Sequence, residues 1–134
     1  MPLVVTERTT PALRAAVDAD PAMVVWWGTQ VECLATLARL EREAMPVSNV
    51  VGALERLDSL SRAWTEVQPT EHVRRAAKRL LRVHNLRAGD ALQLAAALTA
   101  SEDHPASLEF TSLDARLTDA ARREGFRVLD ATGE

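Results

Sequence analysis

The sequence predicts an α/β fold: a single domain built on a parallel β-sheet with helices on both faces. Three observations carry that expectation. Short apolar, β-prone runs alternate with longer segments of helical periodicity, the pattern that parallel strands and crossover helices produce. Crossovers of this kind are right-handed and bring the carboxyl ends of the strands to one edge. The chain is 134 residues long, 47% apolar and 26% charged, enough for one core and too short for two.

The elements follow in order. Thr9-Thr10-Pro11 reads as a capped helix start, with the helix running to about Asp18 and ending at Asp20-Pro21. Met23-Val24-Val25-Trp26-Trp27, bounded by Pro21 and Gly28, is of strand length. A helix then spans Thr29 to Ala44, closed by Pro46, and a second amphipathic one spans Ser48 to Ser61. Ala63 to Val67 is a short strand, and Thr70 caps a helix reaching His84. Leu86 to Ala100 follows; its Ala91–Ala100 part is apolar nearly all round, which predicts the most buried helix. Ser107 to Thr111 is a strand, Leu113 to Glu124 a helix ended by Gly125, and Phe126 to Leu129 a closing strand.

Composition excludes several classes. The apolar runs are too short to span a bilayer, and Met1 to Val5 has neither a basic region nor a cleavage site of a secretory signal. Cys33 is the only cysteine, so an internal disulfide and a cysteine-based zinc cluster are ruled out. Together these predict a cytoplasmic protein without membrane partners. The net charge is −3, with 16 basic residues of which Lys78 is the one lysine. Arginine suits phosphate, but the negative total requires any nucleic-acid contact to rest on local charge. A dinucleotide site is disfavoured by the lack of a Gly-x-Gly-x-x-Gly turn.

Three carboxylates stand out by position. Glu32 lies in the first turn after the Trp26-Trp27 strand, Asp114 just after the Phe110 strand, and Asp90 at the head of the apolar helix. Each alone has a bland explanation, since acids in a first turn favour the helix dipole. Asp90 is the most informative, because a carboxylate leading into an apolar helix is costly to desolvate unless compensated. Like charges gathered at one sheet edge raise one another's pKa, and a divalent cation removes both penalties. An all-oxygen set suits Mg²⁺ or Mn²⁺, and such a site favours phosphodiester hydrolysis.

At these residues the chain resembles the PIN-domain family, close to the VapC-type toxin ribonucleases of toxin–antitoxin pairs. The likeness covers nearly the whole chain. It rests on Leu86-Arg87-Ala88-Gly89-Asp90-Ala91-Leu92-Gln93-Leu94-Ala95 and on Phe110-Thr111-Ser112-Leu113-Asp114-Ala115-Arg116-Leu117, with Thr29-Gln30-Val31-Glu32 in the right order before them. The resemblance implies an Mg²⁺- or Mn²⁺-dependent endoribonuclease that leaves a 5′-phosphate and a 3′-hydroxyl. Glu32, Asp90 and Asp114 match the family's second, third and fourth acidic positions, as catalytic residues and metal ligands. Ser112 matches a hydroxyl position that holds a metal-bound water or a carboxylate. Gln93 stands where many members carry histidine and is not read as catalytic. An antitoxin protein, an RNA substrate and a second copy of the chain are the implied partners.

One departure is plain. The family opens with a strand ending in Asp-x-Ser/Thr, and no such motif stands near the start of this sequence. Three readings stand: a start placed downstream of the true one, loss of the strand and its ligand, or Leu3-Val4-Val5 as first strand with Glu7 replacing the aspartate. A missing upstream segment is the expectation, since loss of a central strand exposes two unpaired edges. The rival function is a catalytically impaired PIN-like protein-interaction module.

Remaining features weigh towards structure. Arg75, Arg79 and Arg82 share a helix face with Lys78 beside them, either a phosphate track or a solvated face, with the second preferred. Arg87, nearer the acidic positions, is the better RNA contact. Trp26 and Trp27 are read as core on opposite strand faces, Cys33 as a small buried residue, and the three histidines are assigned no role.

Overall fold

The computed structural model describes residues 23–112 and 114–128. The expected first helix (Thr9 to Asp18), Leu3-Val4-Val5, Glu7, Leu113 and Leu129 lie outside these residues. Strand β1 (Val24–Trp26) leads into helices α1 (Thr29–Arg42) and α2 (Val47–Ala63), then strand β2 (Thr65–Val67). Helices α3 (Glu71–Val83) and α4 (Ala88–Ala100) follow, then a 3₁₀ turn at Pro105–Ser107. Strand β3 (Glu109–Phe110), helix α5 (Ala115–Glu124) and strand β4 (Arg127–Val128) close the described chain.

Local sequence chemistry sets these boundaries. Pro46 precedes α2 at its N-cap, and Thr70 caps α3 by accepting the Val73 N–H. Asp114 caps α5 at one end, and Gly125 stops it at the other with φ of 106°, a left-handed conformation that glycine adopts without Cβ strain.

The sheet is where expectation and structure part. The strands form two separate two-stranded parallel sheets, β1 with β2 and β3 with β4, and the fold is mainly helical, with five α-helices among the described residues. A continuous parallel sheet covered on both faces is therefore not what the described residues build. The parallel sense itself is present, in the register Val24 to Thr65, Val25 to Glu66 and Trp26 to Val67, and again in Glu109 to Arg127. What is missing among the described residues is a strand joining the pairs. Strands of two and three residues offer little ladder to extend, so burial falls to the helices instead.

Helix α4 takes the central place. Ala91, Leu94, Ala95, Ala96 and Leu98 are buried, and α4 packs most extensively on α3 while also meeting β1, β2 and α5. Leu80, Val73 and Ala77 of α3, Leu117 and Ala121 of α5, and Phe110 and Phe126 complete this main core. A smaller core under the α1–α2 hairpin joins Cys33, Leu37, Ala53, Leu57 and Trp64. Cys33 is buried as expected, which pushes its thiol pKa up to about 11, with Glu32 adding to the effect.

The tryptophan pair departs from expectation. Trp26 packs against the main core, but Trp27 is 50% exposed, with its ring edge-on to Trp26 at 6.3 Å. Strand β1 ends at Trp26, so Trp27 lies in the turn that follows, and no second layer of described residues covers it.

Candidate functional site

Helix α1 begins directly after β1, and its first turn carries Glu32, whose N–H donates to the Gly28 carbonyl at 3.0 Å. Helix α4 begins at Ala88, after its N-cap Arg87, and carries Gly89 and Asp90 in its first turn and Gln93 one turn on. These two helix starts face each other. Gln93 Nε2 donates to Glu32 Oε1 at 2.9 Å, and a Cβ built on Gly89 would lie 2.8 Å from Glu32 Oε2. Residues 61 positions apart are thus brought into contact by packing.

Electrostatics bind Asp90 into the same group. The Glu32 carboxyl is held above its ordinary range, chiefly by burial and further by the Asp90 charge, while the Gln93 hydrogen bond pulls it back. The Asp90 carboxyl is also raised, first by burial and next by the charge of Asp114; a backbone hydrogen bond with Arg87 and the Arg87 guanidinium oppose this. Three carboxylates drawn from distant stretches of chain therefore feel one another through Asp90.

Their local duties differ. Asp114 caps α5, its Oδ1 accepting the Arg116 N–H at 2.9 Å and the Leu117 N–H at 3.2 Å. Ser112 is buried, and its Oγ accepts the Asp114 N–H at 3.0 Å, so it shapes the turn that presents the aspartate. Arg87 is the exposed N-cap residue of α4, next to Asp90.

The donor set is all oxygen, crowded and partly desolvated at Glu32 and Asp90, which is the chemistry of a hard divalent ion. Mg²⁺ commonly takes one or two carboxylates and keeps several waters, so the Glu32–Asp90 pair fits it. Among the described residues no three of His, Cys, Asp and Glu converge as a ligand group; Asp114 acts on Asp90 through its charge and is not a third converging ligand.

Sequence reading passed over Gly89, whose missing side chain matters only once α1 brings Glu32 against it. It also left His84 and Glu124 unassigned. Glu124 accepts from Arg79 at 2.8 and 3.3 Å, and its Oε2 lies 2.7 Å from His84 Nε2. Arg79 is therefore committed to α5, and Arg75 lies 3.9 Å from Glu71 on its own helix. No protein-family model, curated protein or solved structure matches this chain.

Proposed function

We propose that this protein is a divalent-metal-dependent endoribonuclease, the toxin of a toxin–antitoxin pair, hydrolysing RNA phosphodiester bonds. The observation that supports this most is the electrostatic grouping of Glu32, Asp90 and Asp114, with two of the three carboxyls held above their ordinary range. Groups arranged so that their charges oppose one another are costly to maintain without a function. Glu32 and Asp90 would hold Mg²⁺ or Mn²⁺, with Asp114 adding negative charge beside them. When bound, the ion supplies Lewis-acid charge and a water of lowered pKa.

The chain's own contribution is placement. Gln93 orients Glu32, Ser112 sets the turn at Asp114, and Arg87 is exposed at the start of α4 beside Asp90, where an RNA phosphate can meet its guanidinium. The antitoxin and second-copy parts of the reading find support in the α1–α2 hairpin. Val31 and Leu34 on α1, and Val47, Val51 and Leu54 on α2, are exposed, Val31 to 65% and Val47 to 71%. No described helix is long and apolar enough to cross a membrane.

The same apolar surface, together with a carboxylate pair in place of a converging triad, favours the rival reading of an interaction module with impaired catalysis. One experiment separates them. Purified protein incubated with structured RNA is titrated with Mn²⁺, alongside Asp90→Asn. The nuclease reading expects Mn²⁺-dependent cleavage that Asp90→Asn abolishes with its circular dichroism unchanged. Cleavage of equal rate in the variant refutes the assigned role, and none in the wild type favours the module.

A further inference from the structure

We propose that Gly89 and Gln93 are positioning residues, a two-point seat on α4 that fixes both carboxylate oxygens of Glu32 beside Asp90. The inference deepens the nuclease reading above and rests on it. Residues four apart on a helix lie one above the other on one face, and here both meet the same side chain from α1. Gln93 grips Oε1 by a hydrogen bond of 2.9 Å. At Oε2 the requirement is room: a Cβ built on residue 89 would lie 2.8 Å away, closer than side chains tolerate, so only glycine leaves the oxygen this place. Helical geometry does not ask for this glycine, because alanine is the better helix former. The neighbour it accommodates is the far end of a flexible side chain, so enlarging residue 89 moves the carboxylate and not the backbone.

A purely packing role and a positioning role thus predict opposite results for Gly89→Ala. As packing, the change leaves all properties level or improves them. As positioning, it keeps or raises the melting temperature while the carboxylate loses its place. The test is Mn²⁺ titration of the full chain by calorimetry, with thermal unfolding of each protein measured without metal. Gly89→Ala and Gln93→Met, the second of similar length without a donor, are expected to bind Mn²⁺ about 10- to 100-fold more weakly, the range that loss of a ligand's orienting partner commonly produces. Gly89→Ala is expected to melt no lower than wild type. Mn²⁺ affinity equal to wild type in Gly89→Ala overturns the seat while leaving the nuclease reading intact. Absence of Mn²⁺ binding by the wild type overturns both.

Discussion

Two carboxylate sites in this protein receive opposite treatment. At the junction of α3 and α5, Glu124 is met by the Arg79 guanidinium through two hydrogen bonds and by His84, and its pKa is lowered, chiefly by the Arg79 bonds. At the facing starts of α1 and α4, burial raises both Glu32 and Asp90, with the Asp90 charge adding to it at Glu32 and the Asp114 charge adding to it at Asp90. The first arrangement stabilises the fold through its charge. The second works against stability at neutral pH, and folded proteins retain such sites where a ligand or a reaction needs them. A carboxylate's partners, not its residue type, distinguish structure from function.

The contrast can be tested by substitution. Glu124→Gln removes the charge that Arg79 and His84 face, and is expected to cost about 1–3 kcal/mol in urea unfolding at pH 7, as loss of charged hydrogen bonds does. Stability equal to wild type would remove the structural half of the comparison. Because the folded-state pKa of Glu124 is lowered, its contribution is fully present above the ordinary glutamate value of 4.5 and is lost as pH falls through the folded value. The gap in melting temperature between wild type and Glu124→Gln should therefore narrow as pH is taken from 7 to 3; a constant gap would show that the charge is irrelevant.

Asp114 lies between the two cases, since it caps α5 and also presses on Asp90. Asp114→Ala is expected to lose about 1 kcal/mol with the cap. Asp114→Asn keeps a capping oxygen, so it should retain most of that stability yet lose RNA cleavage. Equal stability losses in the two variants would show that the capping geometry does not matter.

The smallest effect is expected at Asp90. With its pKa raised, the folded state holds its proton more tightly than the unfolded chain, so stability falls as pH rises through the interval between the two values. Asp90→Asn should then equal or exceed wild-type stability at pH 7, by under about 1 kcal/mol because the group is only partly buried and water still screens it. A clear loss would place Asp90 with Glu124 among the stabilising charges.

Helix positions and their ends were legible in the chain because they depend on neighbours within a turn. Thr70, Asp114 and Gly125 each act where local capping chemistry predicts, and the apolar run Ala91–Ala100 occupies the buried helix α4. The three acidic positions were legible too, since each falls at the start of a helix. Tertiary structure alone decided the rest. Whether short strands join one sheet or remain two pairs depends on hydrogen-bond partners far away in sequence, and the apolar run at Trp26-Trp27 does not reveal that the strand stops at Trp26 and that nothing described covers Trp27. The 45-residue separation of Arg79 from Glu124, and the 61-residue one of Glu32 from Gln93, hide both contacts from any periodicity. Local order follows from the few bonds a residue makes within its own turn; the meaning of a charge follows from what the folded chain puts opposite it.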